Sequence, residues 1–289
     1  MLSNVREIIR PASVEEAVAR LGEAGGAIKP MAGGTATALF RSPKVTGILD
    51  LWSLPLRSIE EDGEGLRIGA TTTLGELDRS PLVRRWAGGG LWEAARAAAS
   101  TPLRNLITAG GNVAGLYPWS DLPPALLVLD ARVQLAGPAG PELRLEDLVV
   151  EKHPSSVLGN SSLLTEIVLP MPPPGAGSAF LKFAQSAVEY SWLDVAAYLE
   201  MEGDRCRSCR FAVGAIEPRC RRLRKVEALV SGSRLGPETL DRAGEAAASE
   251  VKPTRDARAG EAYRRTLTAT LARRALLEAA RRATSGGGR

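Results

Sequence analysis

Apolar positions change their period along this chain, and the changes mark its elements. Val14, Ala17, Val18 and Leu21 fall at the spacing of one helix face, opened by the capping box Ser13-x-x-Glu16 and closed by Gly25-Gly26. Short apolar runs at Ala27–Met31, Val45–Leu51 and Leu66–Ala70 predict strands, since they are too short for helices and are bounded by turn residues. Thr35 is placed to cap a short helix through Phe40, so the opening reads as an α/β unit whose glycine loop follows a strand. A second capping box, Thr73-x-x-Glu76, predicts a helical turn, and Leu91, Ala94, Ala95 and Ala98 form one face of a helix over Leu91–Ser100. Arg132–Ala136 and Leu164–Leu169 are further strands, with Glu166 the one charge inside the second.

The segment Pro170 to Gly177 interrupts regular structure and marks the best domain boundary. Beyond it the pattern changes to three strands, Ser178–Ala184, Leu193–Met201 and Arg207–Ile216, the last two joined by a Gly203-Asp204 hairpin turn. Helices follow at Arg222–Val230, Pro237–Glu250 and Glu261–Ala283, the last with a stripe of Tyr263, Leu267, Leu271 and Ala275. Strands followed by helices predict an α+β domain with an antiparallel sheet. The Ser285–Arg289 tail is expected to be disordered.

With 289 residues the chain is long enough for two domains or more. Its apolar runs are far too short to cross a bilayer, and Met1–Glu7 has no apolar leader region, so the expectation is a cytoplasmic protein without a transmembrane segment. The net charge of +4 comes from arginines in the last third, at Arg219–Lys225 and Arg264–Arg282. Aromatic residues do not interleave with them, which argues against nucleic-acid binding and for solvated helix faces. Cys206 and Cys209 form a C-x-x-C pair with Cys220 nearby, but a metal site wants four ligands and the single histidine, His153, is remote in sequence. His153 lies in a Glu-Lys-His-Pro-Ser-Ser stretch read as a loop, and it is poor material for a Ser-His-Asp machine.

Candidate chemistry concentrates at two similar stretches, Ala32-Gly33-Gly34-Thr35 and Ala109-Gly110-Gly111-Asn112. Gly-Gly pairs can bring backbone N–H groups close to an anion, and two of them suit the two ends of a diphosphate. Neither fits G-x-G-x-x-G or G-x-x-x-x-G-K-[ST], so a Rossmann site or a P-loop is not supported. The second pair runs on to Ser120, Asp121, Pro123 and Pro124, a helix start in which Ser120 or Asp121 is the expected cap. Arg104 fits either a phosphate contact or a surface or capping arginine.

Taken in order, Met31-Ala32-Gly33-Gly34-Thr35, Arg104-Asn105, Thr108-Ala109-Gly110-Gly111-Asn112, Pro118-x-Ser120-Asp121-Leu122-Pro123 and the Lys182 strand make the whole chain resemble a known family. It is similar to the FAD-binding medium subunits of molybdenum hydroxylases, which include carbon monoxide dehydrogenase and xanthine dehydrogenase. The resemblance implies an α+β fold of the vanillyl-alcohol oxidase and p-cresol methylhydroxylase type. Residues 1–172 would form the FAD-binding domain, with α/β subdomains of about 1–55 and 56–172 holding FAD stretched between them. Residues 178–284 would be a carbon monoxide dehydrogenase flavoprotein-like domain, a three-stranded antiparallel sheet with helices. Ala32, Gly33, Gly34, Thr35 and Ala36, and Thr108, Ala109, Gly110, Gly111 and Asn112, would bind the diphosphate through backbone N–H groups. Asp121 would hold FAD from its helix start, and Lys182, with the strand around Leu164, would lie near the isoalloxazine or ribityl chain. Tyr190 would fall where such subunits have a tyrosine near the flavin. On composition and position alone, Lys182 reads as a surface strand lysine and Tyr190 as a core aromatic.

The resemblance further implies an electron-transfer subunit of a dimer of heterotrimers. An iron–sulfur small subunit with two [2Fe–2S] clusters would deliver electrons, and a molybdenum-binding large subunit would hydroxylate the substrate. Departures concern bulk and charge: Gly115, Leu116, Tyr117 and Trp119 replace residues that are asparagine or small in the family, and Phe183-Ala184-Gln185 follows Lys182 where relatives carry Arg or Lys. Two alternatives remain at this level. One is a stand-alone flavin oxidase or reductase, and the other is an assembly module of the same fold that has lost flavin.

Overall fold

The computed structural model describes residues 4–37, 42–254 and 259–285, the side chain of Glu151 excepted. Residues beyond Thr37 in the helix expected from Thr35 to Phe40, and positions 286–289 of the tail, lie outside the described residues; Ser285 closes the last helix. The chain forms two compact units. The first comprises residues 1–76, 100–116 and 131–169, and the second residues 77–99, 117–130 and 170–289.

The first unit holds two sheets. Strands β1 (Glu7–Ile9), β2 (Ile28–Met31) and β3 (Gly47–Asp50) pair in parallel in the order β1-β3-β2, with central β3 the most buried. The Val14–Glu23 helix begins where expected: Ser13 Oγ accepts from Glu16 N, and Glu16 Oε2 accepts from Ala12 N at 2.8 Å. It buries Ala17 and Leu21 in a cluster with Leu49, Leu54 and Leu163. The second sheet contains β4 (Ile59–Glu61), β5 (Gly65–Gly69), β6 (Arg132–Ala136), β7 (Glu142–Arg144) and β8 (Leu163–Pro170) in the order β4-β5-β8-β6-β7. Glu166, the lone charge of β8, is paired with Arg67 of β5.

In the second unit, β9 (Ala176–Phe183), β10 (Leu193–Glu202), β11 (Arg205–Gly214) and β12 (Arg221–Arg222) form an antiparallel sheet in the order β12-β11-β10-β9. The expected three strands are therefore joined by a fourth, two residues long. Burial of both faces explains why most of β10 reads as nearly continuous apolar sequence. Leu193, Val195, Ala197 and Leu199 share a core with the Pro237–Glu250 and Glu261–Ser285 helices. Asp194, Ala196 and Tyr198 face the opposite side, where the Leu122–Val128 helix lies.

Some expectations need correction. The Leu91–Ser100 helix ends at Ala97, because Ala98 is extended and Ala99 takes a left-handed φ of 45°. The arginine-rich last helix is not solvated throughout. Arg264 is buried and donates to the carbonyls of Ala259 and Trp192, whereas Tyr263 of the apolar stripe is half exposed. His153 precedes the Pro154–Leu158 helix as its N-cap, its ring nitrogen accepting from Ser155 N, so the stretch expected as a loop turns helical from Pro154 onward.

Candidate functional site

In the first unit the two glycine stretches are packed together. Gly33 lies so close to the Leu106 carbonyl that a Cβ would come within 1.5 Å of its oxygen, which leaves room for hydrogen alone. Gly34 next to it is left-handed at φ 69°. Among the described residues, the N–H groups of Gly33, Gly34 and Thr35 donate to no backbone carbonyl. Successive donors on a turn with alternating handedness form the concave nest that accepts an anionic oxygen.

The second stretch behaves differently from the expected loop. Thr108, Ala109, Gly110, Gly111 and Asn112 form the cap and first turn of a helix over Ala109–Gly115, and neither Gly110 nor Gly111 has positive φ. Its N–H groups are already engaged: Ala109 donates to Thr72 O at 2.8 Å, Gly110 to Ala70 O at 2.9 Å, Gly111 to Thr108 Oγ1 at 3.2 Å and Asn112 to Thr108 O at 2.9 Å. A Cβ on Gly110 would lie 2.7 Å from Ala70 Cβ, so this glycine serves close packing. The second stretch thus braces the first through Leu106 and offers no nest of its own.

Two other positions complete this unit's picture. Thr71, in the buried Thr71–Thr73 run beside Gly110, has a buried Oγ1 without a hydrogen-bond partner, an orphaned polar atom that sequence reading missed. Its signal was the run of three threonines directly after β5. Leu164 is buried in β8 opposite Leu135, and Arg104 ends the Thr101–Arg104 helix with Nη2 donating to Thr101 Oγ1 at 2.9 Å.

The second unit gathers the remaining candidates. Asp121 stands at the N-cap of the Leu122–Val128 helix but makes no side-chain cap bond. Its Oδ1 instead lies 3.1 Å from Lys182 Nζ, which also donates to Ala97 O at 3.1 Å. The contact with Asp121 is an ion pair by distance without hydrogen-bond alignment, since Oδ1 has no hydrogen-bond partner by geometry. Both side chains are less than a tenth exposed, so Lys182 is not a surface strand lysine. Burial pushes the Asp121 carboxyl up, and the charge of Lys182 opposes that shift.

Tyr190 is 57% exposed, which overturns its reading as a core aromatic. It packs against Trp119 at 4.7 Å between ring centroids, and Trp119 stacks on Tyr117 at 5.3 Å with ring planes 14° apart. The bulky residues at 117 and 119 therefore form a continuous ladder with Tyr190. Leu116, just before them, closes its helix in a left-handed conformation with φ 37°. Cys206, Cys209 and Cys220 are free and buried, and burial pushes the Cys206 thiol up to about 11 and Cys220 to about 12.

Unengaged N–H groups at Gly33–Thr35, on a mixed parallel and antiparallel α+β frame with neither a Rossmann nor a P-loop motif, suit the class of proteins that hold a phosphate-bearing cofactor on backbone donors. Residues 3–172 match the FAD binding domain in molybdopterin dehydrogenase, and residues 178–279 match the CO dehydrogenase flavoprotein C-terminal domain; the chain belongs to this FAD-binding family. It is similar to the carbon monoxide dehydrogenase medium chain of Hydrogenophaga pseudoflava, 28% identical over 92% of this chain and 94% of that one. It is also similar to the nicotine 6-hydroxylase medium subunit of Paenarthrobacter nicotinovorans, 29% identical over 94% of this chain and 96% of that one. The crystal structure of carbon monoxide dehydrogenase from Hydrogenophaga pseudoflava superposes with a TM-score of 0.89, at 28% identity over 98% of this chain and 99% of that chain. Among the described residues, no helix is long and apolar enough to cross a membrane.

Proposed function

We propose that this chain is the FAD-binding electron-transfer subunit of a three-subunit molybdenum hydroxylase. It would receive electrons from an iron–sulfur small subunit with two [2Fe–2S] clusters, while a molybdenum-binding large subunit carries out the hydroxylation. The observation that carries the reading is the Gly33–Thr35 nest with unengaged N–H groups, built into a chain that matches medium subunits over more than nine-tenths of its length. The medium-chain names of the relatives, and the molybdenum cofactor named with one solved structure, support the expectation of partners.

Bound FAD accepts electrons singly or in pairs and passes them to an acceptor, so the protein needs to bind, orient and tune it. In this reading Ala32, Gly33, Gly34, Thr35 and Ala36 hold the diphosphate by backbone donation. Thr108, Ala109, Gly110, Gly111 and Asn112 keep that nest in shape, and Thr71 supplies a buried hydroxyl in the threonine run beside Gly110. Arg104 adds positive charge on the short helix that leads to the second stretch. Asp121, Lys182 and Tyr190 are the flavin-directed residues of the second unit, and Leu164 contributes an apolar wall in the first. No acid, base or nucleophile is required of this chain.

The experiment is a flavin titration of the purified full chain, followed by the visible bands and quenched fluorescence of oxidised flavin. Saturable one-to-one uptake is expected, and Gly33→Val should abolish it; a chain that takes up no FAD would refute the proposal. Purification from the native host should bring down two further polypeptides, one with iron–sulfur and one with molybdenum. Recovery of this chain alone, with turnover of its own, would favour a stand-alone flavin oxidase.

A further inference from the structure

Asp194 has no exposed surface and sits on the face of β10 that meets the Leu122–Val128 helix. Its register partners are Lys182 on β9 and Gly214 on β11. Directly opposed residues in an antiparallel pair project to the same side of the sheet, so Asp194 and Lys182 share that buried face. Asp121, from the start of the helix, reaches the same place through its ion pair with Lys182. Two carboxyl groups and one ammonium are therefore enclosed together.

The ammonium is already committed to Asp121 Oδ1 and the Ala97 carbonyl. Asp194 Oδ1 accepts from the Ser191 hydroxyl, while Oδ2 is buried without a hydrogen-bond partner. Gly214 backs onto the same place: a Cβ there would meet Pro124 Cγ at 2.7 Å and stand at contact distance, 3.4 Å, from Oδ2. An ionised carboxylate with a bare buried oxygen is costly, whereas the neutral acid is tolerated. In keeping with this, burial, and after it the charge of Asp121, pushes the Asp194 carboxyl well up.

The chain connectivity gives this cluster a purpose beyond packing. Ser191 follows Tyr190, and Asp121 follows Trp119 by two residues. The two rings that pack at 4.7 Å are thus carried on segments that are each tied, one or two residues further on, into the same buried group. One segment is tied by Ser191 to Asp194, the other by Asp121 to Lys182.

We propose that Asp194 is a positioning residue, which through Ser191 and Lys182 fixes the Tyr190–Trp119 ring pair and the Asp121 carboxylate in one arrangement for the flavin. It rests on the reading of Asp121, Lys182 and Tyr190 as flavin-directed, and Asp194 itself touches no reacting atom. Asparagine at 194 would keep a neutral group of the same shape with an acceptor for Ser191. Alanine would leave both the hydroxyl and a hole.

The test compares Asp194→Asn, Asp194→Ala and Ser191→Ala in the full chain, by near-UV circular dichroism without FAD and by the Kd for FAD. The dichroism of the ring pair is assigned as the part that Trp119→Leu removes. Asp194→Asn should retain that signal and bind FAD within about threefold of the parent, whereas Ser191→Ala and Asp194→Ala should lose most of it and weaken FAD binding about tenfold. If Asp194→Ala does not fold, Ser191→Ala alone decides. Parental signal and Kd in Ser191→Ala would overturn the proposal, as would an Asn variant that behaves like the Ala variant. Loss of the ring signal with unchanged FAD affinity would leave the anchoring standing and overturn the flavin-directed reading on which it rests.

Discussion

Gly33 and the carbonyl of Leu106 are in contact through hydrogen alone, with 1.5 Å between that oxygen and the place a Cβ would take. Because Leu106 lies two residues before Thr108, this contact fastens the first glycine stretch to the cap of the second. Gly33→Ala should therefore move the nest even though alanine is the smallest addition. We expect loss of flavin uptake together with destabilisation of about 1–3 kcal/mol from overpacking. Gly111→Ala makes a useful contrast, since its Cβ would meet the rotatable Thr108 Oγ1 at 2.7 Å and not a backbone atom. Flavin content at saturating FAD and urea unfolding of both variants check the ordering.

Thr108 is buried and caps the Ala109–Gly115 helix through Gly111 N, besides forming an isolated bridge with Thr73. Thr108→Ala should cost about 0.5–2 kcal/mol, the usual range for a lost cap. Thr108→Ser should recover most of that cost. Chemical denaturation of the three proteins, read at equal flavin saturation, measures it.

Lys182 and Asp121 are both nearly enclosed, so removing one partner strands the other. Lys182→Met is expected to destabilise by about 3–5 kcal/mol, and adding Asp121→Asn should return a large part of it, because the pair removed together leaves no lone charge. A double-mutant cycle by urea unfolding tests this. Additive losses would mean that the two side chains are energetically independent.

Glu278 offers a pH prediction in the last helix. Hydrogen bonds from Arg281, and after it Arg282, hold its carboxyl down at about 2, against an ordinary value of 4.5. A folded value below the unfolded one means that its stabilisation is in force above pH 4.5 and disappears as pH falls through about 2. Glu278→Gln should therefore be less stable than the parent at neutral pH and should show a shallower loss of stability below pH 4.5. Unfolding midpoints across that window decide it. Arg282 also grips Glu93 and the Ser178 carbonyl, so part of the acid loss will persist in the variant.

Local signals were the most legible. The Thr73 capping box forms with both bonds its spacing requires, the Ser13 box forms with Glu16 reaching back to Ala12 N instead of Ser13 N, and β2, β3, β5, β6 and β8 lie where short apolar runs placed them. What sequence could not give was the destination of polar groups whose partners lie far along the chain. The N–H groups of Ala109 and Gly110 looked available for an anion, yet they donate to carbonyls some forty residues earlier, at Thr72 and Ala70. Asp121 carries the signature of a cap, but burial beside a lysine of β9 outweighs a cap bond. Arg264 sits in a helix crowded with exposed arginines and is nonetheless enclosed by the Trp192 carbonyl. Asp194 was visible as a charge set among the apolar residues that open β10, a pattern that signals a paired or neutral buried group without saying which.

The buried thiols have a practical consequence. Cys206, Cys209 and Cys220 are shielded in the second unit and their thiolates are disfavoured near neutral pH, so alkylating reagents will find them chiefly when that unit opens. The rate of thiol capture by a reagent in excess is then a clock for such openings, and it can be read with or without FAD without introducing any label.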